Sequence, residues 1–465
     1  MVGPRSSSAK LALLDRIHRW RYGRRYGYEM LFRRQDRRPE GQVGVILADM
    51  GMPEAYDPTF YVAFVEHVLR HSLPPILHRL VLSDHGTVLI DPDKPLAREP
   101  FEPRQLVDMH GSTTNRAGRP YIDCSVVWRP PSMKRNPWDA GHFLCTENGP
   151  GGAPDVCQKT CAKVAGWYYG RLLPEAKVAW AHQCGRIYEE AAAALRGLRP
   201  SVTTRHARYM DATSMRDAVE ELLAAGCETI VYQCYSNLVY SDLEDYTFAF
   251  PRIKHLVGGR AKVIFAEQLG NQPALRSAFA ALLRDQLAQL PRQASLLLIL
   301  SKHGHPFKRE TMDERAPAYR QPLEAEVRAV LEEWGGRWEL LWSDDEYADA
   351  YWDPRSEKLE TRAAYQIAID RGFDYALEIP TEFLAENTDL MIYHAVKKYA
   401  VFEDYDPYAP IPYPDWERPL VRTFHRGRTT GIYAGCPVGP YRPYVVKAVV
   451  GSVLDCLGHS RHATA

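Results

Sequence analysis

The sequence predicts an α/β protein built from two doubly wound, Rossmann-like lobes. From residue 42 onward, short apolar runs typical of buried strands alternate with longer stretches of helical periodicity. The predicted strands are 43–48, 229–232, 261–265, 295–300, 338–342 and 375–379, and the predicted helices are 61–69, 191–198, 215–225, 272–290, 322–334 and 358–371. Strands separated by helices form a parallel sheet that is covered on both faces. A chain of 465 residues also exceeds the roughly 250–300 residues that one hydrophobic core holds.

Composition excludes several classes of protein. The 58 Lys and Arg residues balance the 58 Asp and Glu residues, so the whole chain has no electrostatic attraction to nucleic acid. Hydrophobic residues at 45% and charged residues at 25% indicate a folded globular chain. Apolar runs such as 296–300 are far shorter than the roughly 18 residues of a membrane helix. The first residues lack the apolar core of a secretory signal, which predicts a cytoplasmic protein.

Four segments are expected along the chain. Residues 1–40 carry eleven Lys and Arg against four acids, a net charge of +7, with apolar residues at helical spacing. Such a basic amphipathic segment suits peripheral contact with an anionic membrane or an acidic partner, or packs on the body as an ordinary solvated helix. The first lobe is expected over 41–250, with a long irregular insertion at 83–166, and the second over 251–402. A Pro- and Tyr-rich stretch and a C-terminal helix returning to the first lobe are expected over 403–465.

The strongest chemical signal follows the predicted strand 295–300. The chain continues as Ser-Lys-His-Gly-His-Pro, which places His303 at the carboxyl end of a buried strand. Ligands of open α/β sheets bind beyond these strand ends, so His303 is placed to accept a proton or bind a metal. The alternative is a histidine held by hydrogen bonds of its own loop.

A second signal follows the predicted strand 375–379. Glu382, Glu386 and Asp389 recur at spacings of four and three, which would align them on one face of a helix. Acidic residues also favour the first turn of an ordinary solvated helix. Facing an imidazole, however, they form a site for a divalent cation or a proton relay.

These segments resemble the class II chelatases, and ferrochelatase in particular. Residues 43–54 are similar to the family's opening strand, and Ser301, His303 and Pro306 match its Ser-x-His-x-x-Pro loop. Its second signature is matched by Pro380, Phe383, Glu386, Asp389 and Met391. The resemblance covers most of 42–82 and 170–400. The sequence departs from the family at Asn387, where the family has His, and at Asp389, where it has Glu.

The resemblance implies an α/β chelatase fold and a metal-ion lyase that inserts a divalent metal, Fe2+ above all, into a porphyrin-type tetrapyrrole, as in heme biosynthesis. It assigns proton acceptance to His303 and a catalytic relay to Asp389 and Glu386. The expected metal ligands are His303, Asp389 and Glu382. Tyr232, Tyr235, Tyr240 and Trp342 are expected either to grip the macrocycle or to serve as ordinary core residues.

Four cysteines lie in the irregular insertion: Cys124, Cys145, Cys157 and Cys161. Thiols in a loop with little core of its own suggest a metal centre that contributes folding energy. An iron–sulfur cluster, as some ferrochelatases carry, is one interpretation; a zinc site or unligated cysteines are the others. The spacing fits neither a ferredoxin run nor paired zinc knuckles.

Two functions of other classes stay open. A non-catalytic tetrapyrrole- or metal-binding protein is favoured by the departures at Asn387 and Asp389. A chelatase scaffold redirected to iron–sulfur-dependent small-molecule chemistry is suggested by the insertion at 83–166.

Overall fold

The computed structural model describes twelve stretches of the chain: 38–54, 122–123, 144–145, 177–209, 211–234, 250–267, 269–303, 310–345, 359–387, 390–391, 394–405 and 411–458. The chain divides into two compact units. The first unit comprises Met1–Gly51, Ala179–Glu386 and Tyr413–Ala465, and the second comprises Met52–Val178 and Asn387–Pro412. Residues 1–37 of the predicted segment 1–40, the predicted helix 61–69 and most of the insertion lie outside the described residues.

The described strands are β1 (Val43–Asp49), β2 (Ile122–Asp123), β3 (Leu144–Cys145), β4 (Thr203–Arg208), β5 (Thr229–Cys234), β6 (Lys262–Phe265), β7 (Ser295–Lys302), β8 (Arg337–Asp344), β9 (Tyr375–Pro380), β10 (Arg422–Arg426) and β11 (Thr429–Tyr433). The described helices are α1 (Trp180–Leu198), α2 (Ala212–Ala224), α3 (Phe250–Val257), α4 (Pro273–Leu287), α5 (Glu310–Trp334), α6 (Thr361–Asp370), α7 (His394–Lys398) and α8 (Arg442–Cys456).

A four-stranded parallel sheet in the first unit has the order β4-β1-β5-β6. The strand order reverses at β1, because β4 lies on one side of β1 and β5 lies on the other. Val45, Ile46 and Ala48 of β1 have no exposed surface. This double-sided burial explains why β1 reads as an unbroken apolar run.

A five-stranded sheet in the same unit has the order β10-β11-β9-β7-β8. Strands β8, β7, β9 and β11 are parallel, and β10 pairs antiparallel with β11. The strand order of this sheet reverses at β7, its first strand in the sequence, because β8 lies on one side of β7 and β9 on the other. Strand β7, which lies between β9 and β8, is apolar and buried from Leu296 to Leu300.

Helices cover these sheets. Helix α4 contacts both α5 and the C-terminal helix α8, and α8 also contacts α1 and β5. Asp211 caps the N-terminus of α2, where its side chain accepts hydrogen bonds from Thr213 N and Ser214 N. None of the helices in the described part of the chain is long and apolar enough to span a membrane.

The second unit is described more sparsely. Its strands β2 and β3 form an antiparallel pair within the predicted insertion. Helix α7 lies in its C-terminal stretch, where the side chain of Asn387 accepts a hydrogen bond of 2.8 Å from Leu390 N.

The predicted mixed α/β class with parallel sheets is confirmed. The elements that the sequence did not predict lack a continuous apolar run or are short. Strand β4 lies at a sheet edge and has polar residues at five of its six positions, and α3 spans eight residues. The hairpin β10–β11 lies within a Pro- and Tyr-rich stretch and turns at Gly427, which has a φ of 57°.

Asp374 joins the start of β7 to the turn of this hairpin. Its carboxylate accepts hydrogen bonds of 2.8 Å from both Ser295 N and Ser295 Oγ and one of 2.6 Å from Arg428. These donors, the Ser295 amide first, lower the pKa of Asp374 to about 2.

We expect Asp374→Asn to lower the melting temperature by roughly 2 °C at pH 7, a small effect because the side chain is about one-third exposed. A lowered pKa stabilises the fold fully above the ordinary value of about 3.9. The difference between wild type and variant should therefore shrink as the pH falls toward 2. Scanning calorimetry from pH 7 to pH 2 measures it, with Asp370→Asn as an exposed control. A pH-independent difference would contradict this assignment.

Candidate functional site

The candidate site lies at the carboxyl edge of the five-stranded sheet, where the strand order reverses. His303 directly follows β7, and Glu382 comes two residues after the neighbouring strand β9. Ligands of open α/β sheets bind in the crevice at such reversal points. The topology therefore brings together one residue from each of the two sequence signals.

Direct hydrogen bonds connect these two strand ends. The carboxylate of Glu382 accepts the backbone N–H of His303, through Oε2. Thr381 donates to the Ser301 carbonyl twice, from its backbone N at 2.8 Å and from Oγ1 at 2.9 Å. The His303 imidazole lies edge-on to the Phe383 ring, with centroids 6.2 Å apart. Since His303 is 3% and Glu382 5% exposed, both groups are held in a largely desolvated setting.

The charges around Glu382 make its carboxyl unusual. Burial raises its pKa first and the nearby Asp344 raises it further, whereas Lys302 and His303 oppose the rise. Lys302 Nζ lies 2.8 Å from Asp344 Oδ1, and both side chains are almost buried. Burial and the charge of Glu382 likewise raise the pKa of Tyr319, whose hydroxyl donates to the Thr381 carbonyl at 3.2 Å. A carboxyl with a raised pKa exchanges protons with an imidazole more readily than an ordinary one.

Glu378 is a buried carboxylate that the sequence analysis missed, and it is hydrogen-bonded to Ser301, two residues before His303. Glu378 on β9 has no exposed surface. Its Oε1 accepts a hydrogen bond from Ser301 Oγ and its Oε2 one from Tyr365 OH, both at 2.7 Å. Ser301 of the Ser-x-His motif is therefore anchored in the core. The available signal was a single acid within an otherwise apolar strand.

The structure places Glu386 in a different set of contacts. Its carboxylate accepts hydrogen bonds from Tyr433 OH at 2.9 Å and from Cys436 N at 2.7 Å. Its backbone N–H donates to Gln183 Oε1 at 2.9 Å.

The described residues 381–387 form no helix. The prediction of a helix that aligns Glu382, Glu386 and Asp389 is therefore wrong for this segment. Hydrogen bonds at both ends hold the segment instead. Thr381 is hydrogen-bonded to β7, and Glu386 is hydrogen-bonded to α1 and to β11. Backbone and carboxylate groups of the segment thus form hydrogen bonds with other parts of the chain, and these bonds take the place of a local helical arrangement.

Several expected site residues fall outside the described part of the chain. They are Asp389, Tyr235, Tyr240, Cys124, Cys157 and Cys161, and Cys145 is described only as backbone in β3. Among the residues whose side chains are described, no three or more His, Cys, Asp or Glu are grouped to hold a metal ion.

The two described aromatic candidates have packing contacts. Tyr232 is 2% exposed and lies edge-on to Phe265, with ring centroids 5.7 Å apart. The indole N–H of Trp342 donates to Glu324 at 2.9 Å, and the guanidinium of Arg320 lies 5.0 Å from the ring centroid. These are contacts typical of core and helix–sheet packing.

Comparisons with known proteins add the following findings. No protein-family model matches the chain, and no curated protein sequence matches it. Solved structures similar to this chain include SirB from Bacillus subtilis with Fe3+, and the similarity covers 60% of this chain and 92% of that chain, with 11% identity and a TM-score of 0.35.

We expect Glu382→Ala to speed hydrogen exchange of the His303 backbone amide by roughly tenfold or more. The variant removes the acceptor of a buried N–H, and such a loss costs about 1–3 kcal/mol. Exchange followed by NMR or peptide mass spectrometry measures the effect. Glu382→Gln retains an acceptor oxygen and is the matched control. Equal exchange in wild type and Glu382→Ala would exclude the described contact.

Proposed function

We propose that this chain is a class II chelatase-like metal-ion lyase that inserts a divalent metal, with Fe2+ as the favoured metal, into a porphyrin-type tetrapyrrole. The observation that carries the proposal is the meeting of His303 and Glu382 at the reversal point of a parallel sheet. Both residues lie in segments that resemble the chelatase signatures. As part of the proposal, each of the two large sheets forms one Rossmann-like lobe, and the Cys-containing insertion at 83–166 interrupts the sequence of the first lobe.

The chemistry requires proton acceptors beside a metal path. Two pyrrole N–H protons must leave the ring, and the metal must exchange its water ligands for ring nitrogens. An imidazole accepts protons near neutral pH, and in the proposal His303 takes the first. Glu382 then accepts this proton from His303, because its buried carboxyl has a raised pKa, and the neutral imidazole so restored takes the second proton.

The metal is a substrate that passes along nitrogen and oxygen ligands. His303 and Glu382 supply one imidazole and one carboxylate, and Asp389 supplies a second carboxylate in the proposal. Such ligands bind Fe2+, Co2+, Ni2+ and Zn2+ alike, so geometry and metal supply determine the physiological choice.

A non-catalytic tetrapyrrole- or metal-binding protein is the second candidate. The observation in its favour is that Glu386, which the resemblance assigns to a relay, binds Tyr433 and Cys436. In addition, Asn387 replaces the family's histidine, and its side chain accepts a hydrogen bond from Leu390 N. Such a protein would hold the ring without metallating it.

Two further proposals rest on the sequence alone. An iron–sulfur cluster bound by Cys124, Cys145, Cys157 and Cys161 would give visible absorption that is lost in Cys157→Ala. The basic segment 1–40, with its net charge of +7, would contact an anionic membrane surface or an acidic partner.

The function is tested by mixing anaerobically purified protein with protoporphyrin IX and Zn2+ or Fe2+. We expect free-base absorption bands to convert to metallated bands. His303→Ala should slow the initial rate at least about 100-fold, since loss of a general base costs this much or more. His255→Ala, at an exposed position of α3, is the matched control and should retain the wild-type rate.

The other outcomes separate the remaining functions. A shifted porphyrin spectrum without conversion would identify a binding protein. No spectral response to porphyrin, together with cluster absorption in the purified protein, would support the redirected scaffold. An unchanged rate in His303→Ala would reject the proposed proton acceptor.

A further inference from the structure

We propose that Glu386 is a positioning residue, which fixes the segment that presents Glu382 to His303 and carries no protons itself. The inference rests on the proposed function for its kinetic test and on hydrogen-bond geometry for its structural test. It assigns to the Glu386 carboxylate a role different from the relay that the sequence resemblance implies.

Each carboxylate oxygen of Glu386 has its own donor from the β11 side of the sheet. Tyr433 OH donates to Oε2 and Cys436 N to Oε1. Gly435 lies between these donors with a φ of 71°. A Cβ at this position would lie 2.7 Å from the Leu420 backbone and 2.9 Å from Glu386 Oε1. The glycine thus permits the close approach of the carboxylate to the backbone.

Helix α1 holds the same segment from another direction. Gln183, which is 3% exposed, accepts the Glu386 N–H and donates to Tyr413 OH at 2.6 Å and to the Trp416 carbonyl at 3.1 Å. Burial, and then the charge of Glu386, raise the pKa of Tyr413. Glu386 therefore belongs to a buried hydrogen-bond network that joins three separate parts of the first unit.

Glu382 lies between two fixed points. Thr381 is bonded to Ser301 on one side, and Glu386 is bonded to Gln183, Tyr433 and Cys436 on the other. Glu386 lies only four positions after Glu382, so a shift at Glu386 would displace the Glu382 carboxylate. Misplacement by about 1 Å at a reacting group can cost roughly 100-fold in rate.

The donors themselves argue against proton carriage by Glu386. A proton carrier must exchange protons with its neighbours during each turnover. One neighbour of Glu386 is a backbone N–H, which keeps its proton at neutral pH. Another is the tyrosine hydroxyl of Tyr433, a group whose ordinary pKa is about 10.

The experiment compares Glu386→Gln with Glu386→Ala, and Tyr433→Phe with Tyr441→Phe. Glutamine retains one acceptor oxygen, whereas alanine retains none. Tyr441 OH donates to Asp285 Oδ2 at 2.6 Å and not to Glu386, so Tyr441→Phe is the matched control for loss of one hydroxyl. The readouts are hydrogen exchange of the His303 amide, which needs no activity, and kcat and KM for Zn2+ insertion into protoporphyrin IX.

For a positioning residue we expect Glu386→Ala to speed His303 amide exchange about tenfold and to lower kcat about 10- to 100-fold, with KM changed less than about threefold. Glu386→Gln should retain at least about a third of kcat. Tyr433→Phe should change exchange and kcat in the same direction as Glu386→Ala, and Tyr441→Phe should change neither. If Glu386→Ala does not fold, Tyr433→Phe and Gln183→Ala provide the same test.

Two results would overturn the proposal. In the first, Glu386→Gln is as inactive as Glu386→Ala, while the His303 amide exchanges at the wild-type rate. A proton carrier would behave in this way. The other is wild-type exchange in Glu386→Ala, Tyr433→Phe and Gln183→Ala. If the wild-type protein metallates no porphyrin, the proposed function fails, whereas the exchange measurements still decide the positioning role.

Discussion

The candidate site depends on the connection between β7 and β9 beyond their regular ladder. Thr381 bonds the Ser301 carbonyl twice, and Glu382 accepts the His303 N–H. These bonds hold two loop starts in register although 79 residues separate His303 from Glu382 along the chain. Both follow strands buried on two faces, so the site rests on rigid elements, a requirement for accurate placement of reacting groups.

The hydrogen bonds around the candidate site bury several acidic side chains, and this burial is unfavourable for their charged forms. An ion moved into the interior loses several kcal/mol of hydration, and a partner must offset the loss. Asp344 is paired with Lys302, and Glu378 accepts two hydroxyl donors. Glu382 is less well compensated, and its pKa is raised as a result. Of these three acids, Glu382 is the one beside His303, and perturbed carboxyl groups of this kind are common at functional sites.

The sequence predicted those features that are encoded locally. Strand β7 is a continuous apolar run, and His303 follows it directly, so its position at the sheet edge could be expected. The Glu386 network could not, because its partners Gln183 and Tyr433 lie 203 and 47 residues away. Spacings of four and three suggested a helix from Glu382, yet distant hydrogen bonds determine that segment. Strand β4 escaped prediction since an edge strand needs no continuous apolar run.

The outermost strand β10 has a consequence for how the protein behaves among its own copies. Its sequence is Arg-Thr-Phe-His-Arg, and only Phe424 of these five residues is buried. A sheet border is a template onto which another chain can add, and cationic side chains there discourage such growth. Two molecules approaching border to border along β10 would bring Arg422 and Arg426 of each together. The repulsion between these cationic side chains would disfavour pairing of two copies along β10.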